Sequence, residues 1–574
     1  MTIVTQQRNA FAFLCCYKIV VMKYIIVGGV AGGASAAARL RRLNEQAEII
    51  LFEKGSHISY ANCGLPYYIG DVITDREQLF VQTPASFKQR FNIDARVLTE
   101  VLSIHPDTKT VKVKNVITGV ESEETYDKLV LSPGAEPFRP PLDGVASEGI
   151  FTLRNVTDTD KIKDFVKDKK NGRAVIIGAG FIGLEMAENL HQLGMHITIV
   201  EMGNQILAPV DFPIAAIAQQ HIRSKGVDLK LNTTVIGFEK ETTHLKVLIK
   251  DAAPIDADVI ILSIGVKADT RLAREAGLSL GDAKAILVNE FLQTSNKDIY
   301  AVGDAIEFKN NITGNSMSTY LAGPANKQGR ICANNIVLGN TSKYHGSVNT
   351  AIVKIFDLTV ATTGVASKHL SKANVNHITS TTHSGSHASY YPDSEQMTIQ
   401  VNFDPVNGKI LGAQIIGKDG VDKRIDTLSS IIQRGSDIYE LMEFEHAYAP
   451  PFSSAKDPVN MVGFVAENII EKRLKVVAWD KVSQIEDNDV LIDVRTLDEF
   501  NNGHIPGAIN MPIDDLRDNL KMLDINKTLY IYCQIGLRGY LAQRILTQSG
   551  YDHVYNISGG YKLWEACNAE SSIY

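Results

Sequence analysis

Cysteine is scarce, at six residues in 574. That excludes a disulfide scaffold and fits a reducing compartment, where a lone thiol is either reactive or buried. The expected localisation is therefore cytoplasmic. A basic excess is also missing: 58 Lys and Arg stand against 65 Asp and Glu, a formal net charge of −7. No nucleic-acid partner is expected from such a balance. No run of about 18 uncharged apolar residues occurs, so no membrane span is expected. The first 21 residues lack the basic start and Ala-x-Ala cleavage site of a signal peptide. Only Arg8 precedes the stretch 10–21, which is apolar apart from Tyr17 and Lys18 and contains Cys15-Cys16. Met22 stands directly before a strand-like Lys23-Tyr24-Ile25-Ile26-Val27. It reads as the natural start, with 1–21 as an over-extended N-terminal segment. What remains is an ordinary globular composition, 44% hydrophobic and 21% charged, long enough for about three or four domains.

One pattern occurs twice. Tyr24-Ile25-Ile26-Val27 runs into Gly28-Gly29-Val30-Ala31-Gly32-Gly33, then an Ala-rich helix to Leu43, then a strand ending at Glu53. Ala174-Val175-Ile176-Ile177 runs into Gly178-Ala179-Gly180-Phe181-Ile182-Gly183, a helix to about Leu193 and a strand ending at Glu201. Each is a βαβ unit with an acidic residue about 20 positions beyond its glycines. The first glycine permits the tight turn. The others let backbone and helix approach a pyrophosphate at the helix N-terminus, and the acid accepts from ribose hydroxyls. The first copy carries Val30 where the second glycine usually stands. Two such sites point to a flavin beside a nicotinamide, FAD with NADH. Glu201 would repel a 2′-phosphate, and no Arg or Lys occurs at 202–205, which favours NADH over NADPH. Farther on, Asp298-Ile299-Tyr300-Ala301-Val302-Gly303-Asp304 reads as a strand ending beside the flavin, with Gly303 giving room and Asp304 bonding a ribityl hydroxyl. No metal site is expected.

Residues 22 to about 470 resemble the flavin-dependent pyridine nucleotide-disulfide oxidoreductases, in the branch of the CoA-disulfide reductases and NADH oxidases. The two glycine loops, Gly303-Asp304 and Ser59-Tyr60-Ala61-Asn62-Cys63-Gly64-Leu65-Pro66 carry the resemblance. Two-cysteine members have Cys-x4-Cys, but positions 64–70 hold no cysteine. Cys63 must therefore cycle through a sulfenic acid, a mixed disulfide or a persulfide. Its thiolate is expected to be favoured by the oxidised flavin and a helix N-terminus. The resemblance implies CoA contacts at Arg39, Arg42, Ser59 and Asn62, guanidinium forks being suited to phosphates. It also implies a homodimer. Tyr448, in Glu445-His446-Ala447-Tyr448-Ala449-Pro450-Pro451, stands where two-cysteine relatives carry a catalytic His, contributed across the dimer.

The C-terminal segment resembles a rhodanese. The carrying residues are 490–500, the turn Gly503-His504-Ile505-Pro506-Gly507, and Leu529-Tyr530-Ile531-Tyr532 entering Cys533-Gln534-Ile535-Gly536-Leu537-Arg538. A strand-to-helix loop aims several backbone N–H groups inward, a cradle for a thiolate and its persulfide. Arg538 is expected to add positive charge. The other cysteines, Cys15, Cys16, Cys332 and Cys567, read as structural or incidental.

The resulting expectation is an α/β protein of two Rossmann-like dinucleotide-binding domains, an α+β dimerisation domain and a C-terminal α/β rhodanese domain. FAD binding is assigned to 22–149 and 264–345, NADH binding to 150–263, dimerisation to 346–470 and the rhodanese to 474–574. The whole chain resembles fused CoA-disulfide reductase–rhodanese proteins. That resemblance implies an NADH-dependent reductase of CoA persulfide, polysulfide or CoA disulfide, with CoA as substrate or carrier. Three alternatives stay open: an NADH oxidase or peroxidase with a Cys63 sulfenic acid, a plain CoA-disulfide reductase, and a rhodanese serving only as a sulfur carrier.

Overall fold

The computed structural model describes residues 21–486 and 488–573; the extension 1–20, with Cys15 and Cys16, lies outside them. Strand Lys23–Val27 sits at the centre of a parallel five-stranded sheet. Glu48–Phe52 and Lys128–Leu131 flank it, with Asp94–Arg96 and Ile299–Ala301 at the edges. Its residues Ile25 and Ile26 are fully buried, as a strand covered on both faces requires. The Ala-rich sequence after the turn forms helix Ala31–Leu43. Helix Ala322–Leu338 packs on it so closely that a Cβ on Gly329 would stand 2.4 Å from the Gly32 carbonyl oxygen.

The second parallel sheet runs in the order Asp228–Lys230, His196–Val200, Arg173–Ile177, Val259–Leu262, Ile150–Phe151. Helix Phe181–Gln192 follows its central strand. The third sheet is antiparallel. Its strands include Gln396–Phe403 and Ile410–Gly417, somewhat longer than the alternation at 397–401 and 410–416 implies. Helices Val421–Arg434 and Pro458–Ile470 cover it. Between them the buried Arg424 meets Asp457 at 2.9 Å and donates to the Ser386 carbonyl at 2.8 Å. The fourth sheet, parallel again, lies within 476–557. The strand expected near 474–482 is only Val476–Val477; Trp479–Gln484 forms 3₁₀ turns instead.

The last domain docks on the rest through two patches. Helix Gly560–Ser571 lies on helix Phe212–Ser224, where Gln219 donates to Glu570 at 2.8 Å and the Phe212 and Trp479 rings stack at 5.8 Å. On the other patch, strand Ile378–Gly385 meets the turn 558–560. Thr381 N–H donates to Ser558 Oγ at 3.0 Å, and His383 Nε2 bonds the Gly559 carbonyl at 3.0 Å. A carbonyl only accepts, so Nε2 carries the proton and Nδ1 accepts from Thr398 Oγ1 at 2.9 Å. Burial first, then the facing Lys562, push the His383 pKa from 6.5 down to about 4.

That shift has a sign. The docked state takes up this proton less readily than the free imidazole, so docking carries no cost above pH 6.5 and loses stability as pH falls from there towards 4. Both tryptophans, Trp479 and Trp564, belong to the docked domain, so their emission reports the event. Acrylamide quenching is expected to rise between pH 6.5 and 5. The rise should vanish in His383→Gln, which keeps a donor for Gly559 but does not titrate. An equal rise in both proteins defeats the assignment.

Candidate active sites

The first glycine turn opens a cleft of ≈ 590 Å³. Gly28 has φ +95°, and a Cβ there would stand 2.0 Å from the Ser132 carbonyl oxygen. A Cβ on Gly33 would stand 1.9 Å from the Gly28 oxygen. Glu53 accepts from the N–H of Gly29 at 2.9 Å and of Gly55 at 2.7 Å. The second turn repeats this. Gly178 has φ +97°, a Cβ on Gly183 would stand 2.1 Å from the Gly178 oxygen, and Glu201 accepts from Ala179 and Gly203, each at 2.8 Å. Each carboxylate keeps lone pairs free for ribose hydroxyls. A Cβ on Gly180 would meet nothing within 4 Å, so that position is open to a phosphate.

The departure at Val30 has a physical explanation. Val30 has φ −101° and Gly180 φ −82°. Neither is left-handed, so the backbone does not demand glycine there. Val30 packs against the apolar cluster of Tyr60, Leu65, Tyr68, Leu79 and Val156, to which the neighbouring loop contributes.

That loop carries Cys63, on one 3₁₀ turn Asn62–Gly64 leading into helix Leu65–Ile69. Ser59, at φ +46°, donates its N–H to the Gly29 carbonyl at 2.8 Å, tying the cysteine loop to the glycine loop. Cys63 and Asn62 line the cleft, as do Gly303 and Asp304 from across it. Gly303 has φ +79°, and its N–H donates to Gln328 at 2.7 Å. Burial pushes the Asp304 carboxyl up to about 6, against the pull of Arg154.

The expected thiolate stabilisation by a helix N-terminus is not what the chain itself supplies. Burial, then Glu185 and Asp304, push the Cys63 thiol up. The helix that follows has five residues, too few for a substantial dipole, and two carboxyls outweigh it. Glu185 was not anticipated. It sits on helix Phe181–Gln192, and burial followed by the charge of Glu188 raises it to about 7, opposed by a hydrogen bond from Tyr67.

The three helix arginines separate. Arg41 is buried and donates to the carbonyls of Phe91, Asn44, Glu45, Ala47 and Asn92. Arg39 donates to Asn334 at 2.9 Å, and Arg42 is exposed. Burial, then Arg330 and Arg42, push the Arg39 pKa down. None of Arg39, Arg42 and Arg330 has a carboxylate partner among the described residues, so they form a cationic cluster suited to phosphate. Tyr448 does not line the Cys63 cleft within the chain. It is 48% exposed, and its hydroxyl lies 2.9 Å from that of Tyr390, a partner sequence reasoning missed.

In the last domain Cys533 ends strand Leu529–Tyr532 and is 1% exposed. Gly536, at φ +109°, donates its N–H to Sγ at 3.1 Å, where several donors were expected. Arg538 is not a free positive charge. It forks onto Glu499 at 2.6 and 2.7 Å and holds that carboxyl at about 2. Glu499 also closes a capping box with Thr496, the one local signal that marked it. Arg495 bonds Asp493 at 2.7 Å and Gln534 at 2.9 Å, fixing the residue after the nucleophile. The turn at Gly559-Gly560 backs the loop: Tyr561 and Lys562 N–H groups donate to the Cys533 and Gln534 carbonyls at 2.8 and 3.1 Å. Burial pushes Cys332 and Cys567 far up, consistent with structural thiols.

Removing a facing negative charge favours a thiolate. In the full-length protein, Glu185→Gln is therefore expected to lower the pH midpoint for Cys63 alkylation by iodoacetamide by about 0.5 to 1. Cys63→Ser identifies the signal. An unchanged midpoint means Glu185 does not face the sulfur electrostatically.

Residues 22–329 match the pyridine nucleotide-disulphide oxidoreductase model, 350–458 the dimerisation domain of that family, and 480–567 the rhodanese-like domain. A coenzyme A disulfide reductase of Staphylococcus aureus (strain bovine RF122 / ET3-1) is 35% identical over 445 residues, 78% of this chain and 100% of that protein. The crystal structure of reduced Bacillus anthracis CoADR-RHD is 46% identical with a TM-score of 0.94, covering 96% of this chain and 99% of that one. The NAD-dependent persulfide reductase of A. fulgidus is 35% identical with a TM-score of 0.88, covering 95% of this chain and 100% of that one. The chain thus belongs to the pyridine nucleotide-disulphide oxidoreductases, flavin-dependent enzymes using NAD(H), and carries a rhodanese-like domain towards its C-terminus.

Proposed function

We propose that the chain is an FAD- and NADH-dependent reductase of CoA persulfide and CoA disulfide, with sulfane-sulfur handling at Cys533. The carrying observation is the isolation of Cys63: it lines the dinucleotide cleft as a free thiol, and the other described cysteines, Cys332, Cys533 and Cys567, are buried elsewhere. A thiol with no internal partner is free to take its second sulfur from the substrate. The CoA-disulfide and persulfide reductases among its relatives support the choice of substrate.

Glu53, Gly28, Gly32, Gly33, Gly303 and Asp304 would hold FAD; Gly178, Gly180, Gly183 and Glu201 would hold NADH. Bound FAD supplies a two-electron carrier between NADH and sulfur. Arg39, Arg42, Ser59 and Asn62 are assigned to CoA, the arginines to its phosphates. The Cys63 thiolate attacks the outer sulfur of a CoA persulfide, forming a Cys63 persulfide and releasing the CoA thiolate. Two electrons then cleave the new sulfur–sulfur bond, releasing hydrosulfide and restoring the thiolate. With CoA disulfide the same attack gives a Cys63–CoA mixed disulfide and one CoA thiolate, and the two electrons release the second. Tyr448, with Tyr390, is assigned to the leaving thiolate across a homodimer. Cys533 takes sulfane sulfur from polysulfide or a related donor, Arg538 and Glu499 shaping its loop.

The test is anaerobic NADH oxidation with CoA persulfide while hydrosulfide is measured. One hydrosulfide per NADH is expected in the wild type, and none above background in Cys63→Ser. Fast oxidation on oxygen without hydrosulfide would instead assign a sulfenic-acid oxidase. Cys533→Ser is expected to abolish use of inorganic polysulfide and spare CoA persulfide; loss of neither leaves the domain a docking module.

Glu201 gives a second expectation. A 2′-phosphate beside its carboxylate costs about 2 kcal/mol, or about thirtyfold in kcat/KM. NADH is thus preferred to NADPH by about that factor, and Glu201→Gln narrows the gap. Equal kcat/KM values in the wild type rule out this role.

A further inference from the structure

The pocket at Cys533 is lined by residues of two domains. Gln534, Glu499, Arg538 and Lys562 come from the C-terminal domain, and Gln396 comes from the antiparallel sheet. Two cations face it, and they are not equivalent. Arg538 is committed to Glu499 by two short hydrogen bonds. Lys562 has no carboxylate partner among the described residues. Its ammonium donates to the neutral Gln396 side-chain oxygen, and its backbone N–H is fixed on the Gln534 carbonyl. The remaining carboxylate of the lining, Glu565, is exposed and accepts from the Tyr561 hydroxyl at 3.2 Å. Burial pushes the Lys562 pKa down, so this is a partly dehydrated cation whose remaining N–H groups are unspent. An anion in the pocket supplies what Lys562 lacks.

We propose that Lys562, held by Gln396 of the reductase body, is the specificity-determining cation of the Cys533 pocket and selects anionic sulfane-sulfur donors. The proposal rests on the reading that Cys533 accepts sulfane sulfur. With thiosulfate the step balances without further reactants. The Cys533 thiolate attacks the outer sulfur, a sulfur–sulfur bond forms on Sγ, and the original sulfur–sulfur bond breaks with its electron pair leaving on sulfite. Lys562 pairs with the sulfonate oxygens, which bear the charge before and after transfer. With inorganic polysulfide it pairs with the terminal sulfur anion, and the shortened polysulfide leaves. With CoA persulfide the anion is the persulfide itself or a phosphate of the carrier. Gln396 is a positioning residue: it touches Lys562 and orients the ammonium from the other domain.

The test uses the full-length protein and reads the second-order rate of Cys533 modification by mass spectrometry. The probes are thiosulfate, inorganic tetrasulfide, CoA persulfide and the uncharged bis(2-hydroxyethyl) trisulfide. Lys562→Gln is expected to slow thiosulfate and tetrasulfide by about tenfold, the loss of one charge-assisted hydrogen bond. The neutral trisulfide should change by less than about twofold, since it offers no charge to that bond. Lys562→Arg restores the anion rates. Gln396→Ala slows thiosulfate and spares the neutral donor. A CoA persulfide rate that follows the inorganic anions assigns recognition to the sulfur anion; one that falls further assigns it to the phosphates. Trp479 emission checks the docked fold of each variant. In the wild type, added salt should slow thiosulfate and not the trisulfide, which tests the charge without any substitution. Equal slowing of charged and neutral donors in Lys562→Gln overturns the proposal, as does an unchanged thiosulfate rate. If wild-type Cys533 accepts sulfur from none of the four, the underlying reading fails instead.

Discussion

Around the first glycine turn, three backbone segments approach closer than any side chain allows. The turn at Gly28 presses on the Ser132 carbonyl, Gly33 presses on Gly28, and helix Ala322–Leu338 reaches the Gly32 carbonyl through Gly329. A Cβ at any of these points would stand within about 2.4 Å of an oxygen. That distance is well inside contact, so the packing of the whole cleft depends on its absence. The same turn carries the cysteine loop, because the Gly29 carbonyl accepts the Ser59 N–H. The height of Cys63 in the cleft is thus set by the strand, the turn and the helix behind it, and Asp304 arrives on the 3₁₀ turn Gly303–Ala305 that follows strand Ile299–Ala301 of the same sheet.

The two thiol sites solve different electrostatic problems. Cys63 faces Glu185 and Asp304, which oppose its ionisation, in a cleft open enough for a large ligand. Cys533 is enclosed, with a backbone N–H on its sulfur and a guanidinium–carboxylate pair beside it. The first arrangement suits a sulfur whose charge is governed by what binds next to it. The second supplies a donor that a terminal persulfide sulfur also uses. The Arg538–Glu499 pair lowers the net charge at the loop while keeping the guanidinium in place.

Much of this was legible in the sequence because the signals are local. Both glycine loops, their terminal acids, Gly303-Asp304 and the Cys-x4-Arg loop each lie within one strand–turn–helix unit. Arg39, Arg41 and Arg42 read together as one solvated helix face, and the structure corrects this for Arg41, which is buried. Ala34, Ala37 and Arg41 share the buried helix face at i, i+3, i+7, whereas Ser35, Arg39 and Arg42 share the other. What stayed hidden depends on distant pairing. Glu499 meets Arg538 across 39 residues, Tyr390 meets Tyr448 across 58, and Gln396 meets Lys562 across 166. Glu185 lies inside a legible helix, yet its nearness to Cys63 is a matter of how two domains pack. No periodicity encodes that.

The docking of the last domain is not separable from its chemistry. Thr381, His383 and Gln396 bond Ser558, Gly559 and Lys562, in the turn 558–560 and the start of helix Gly560–Ser571. Tyr561 and Lys562, at the start of that helix, donate to the carbonyls of Cys533 and Gln534. Gly560 has φ +63°, and a Cβ there would stand 2.4 Å from the Cys533 oxygen. The antiparallel sheet is therefore connected to the nucleophile loop through the side chains of Ser558, His383, Gln396 and Lys562 and through the close packing of Gly560 on the Cys533 carbonyl. A rhodanese fold freed from this body keeps the Tyr561 and Lys562 N–H donors behind its loop but loses the bonds from Thr381, His383 and Gln396. Joining the two halves in one chain does more than raise their effective concentration: the reductase body forms part of the wall of the second site.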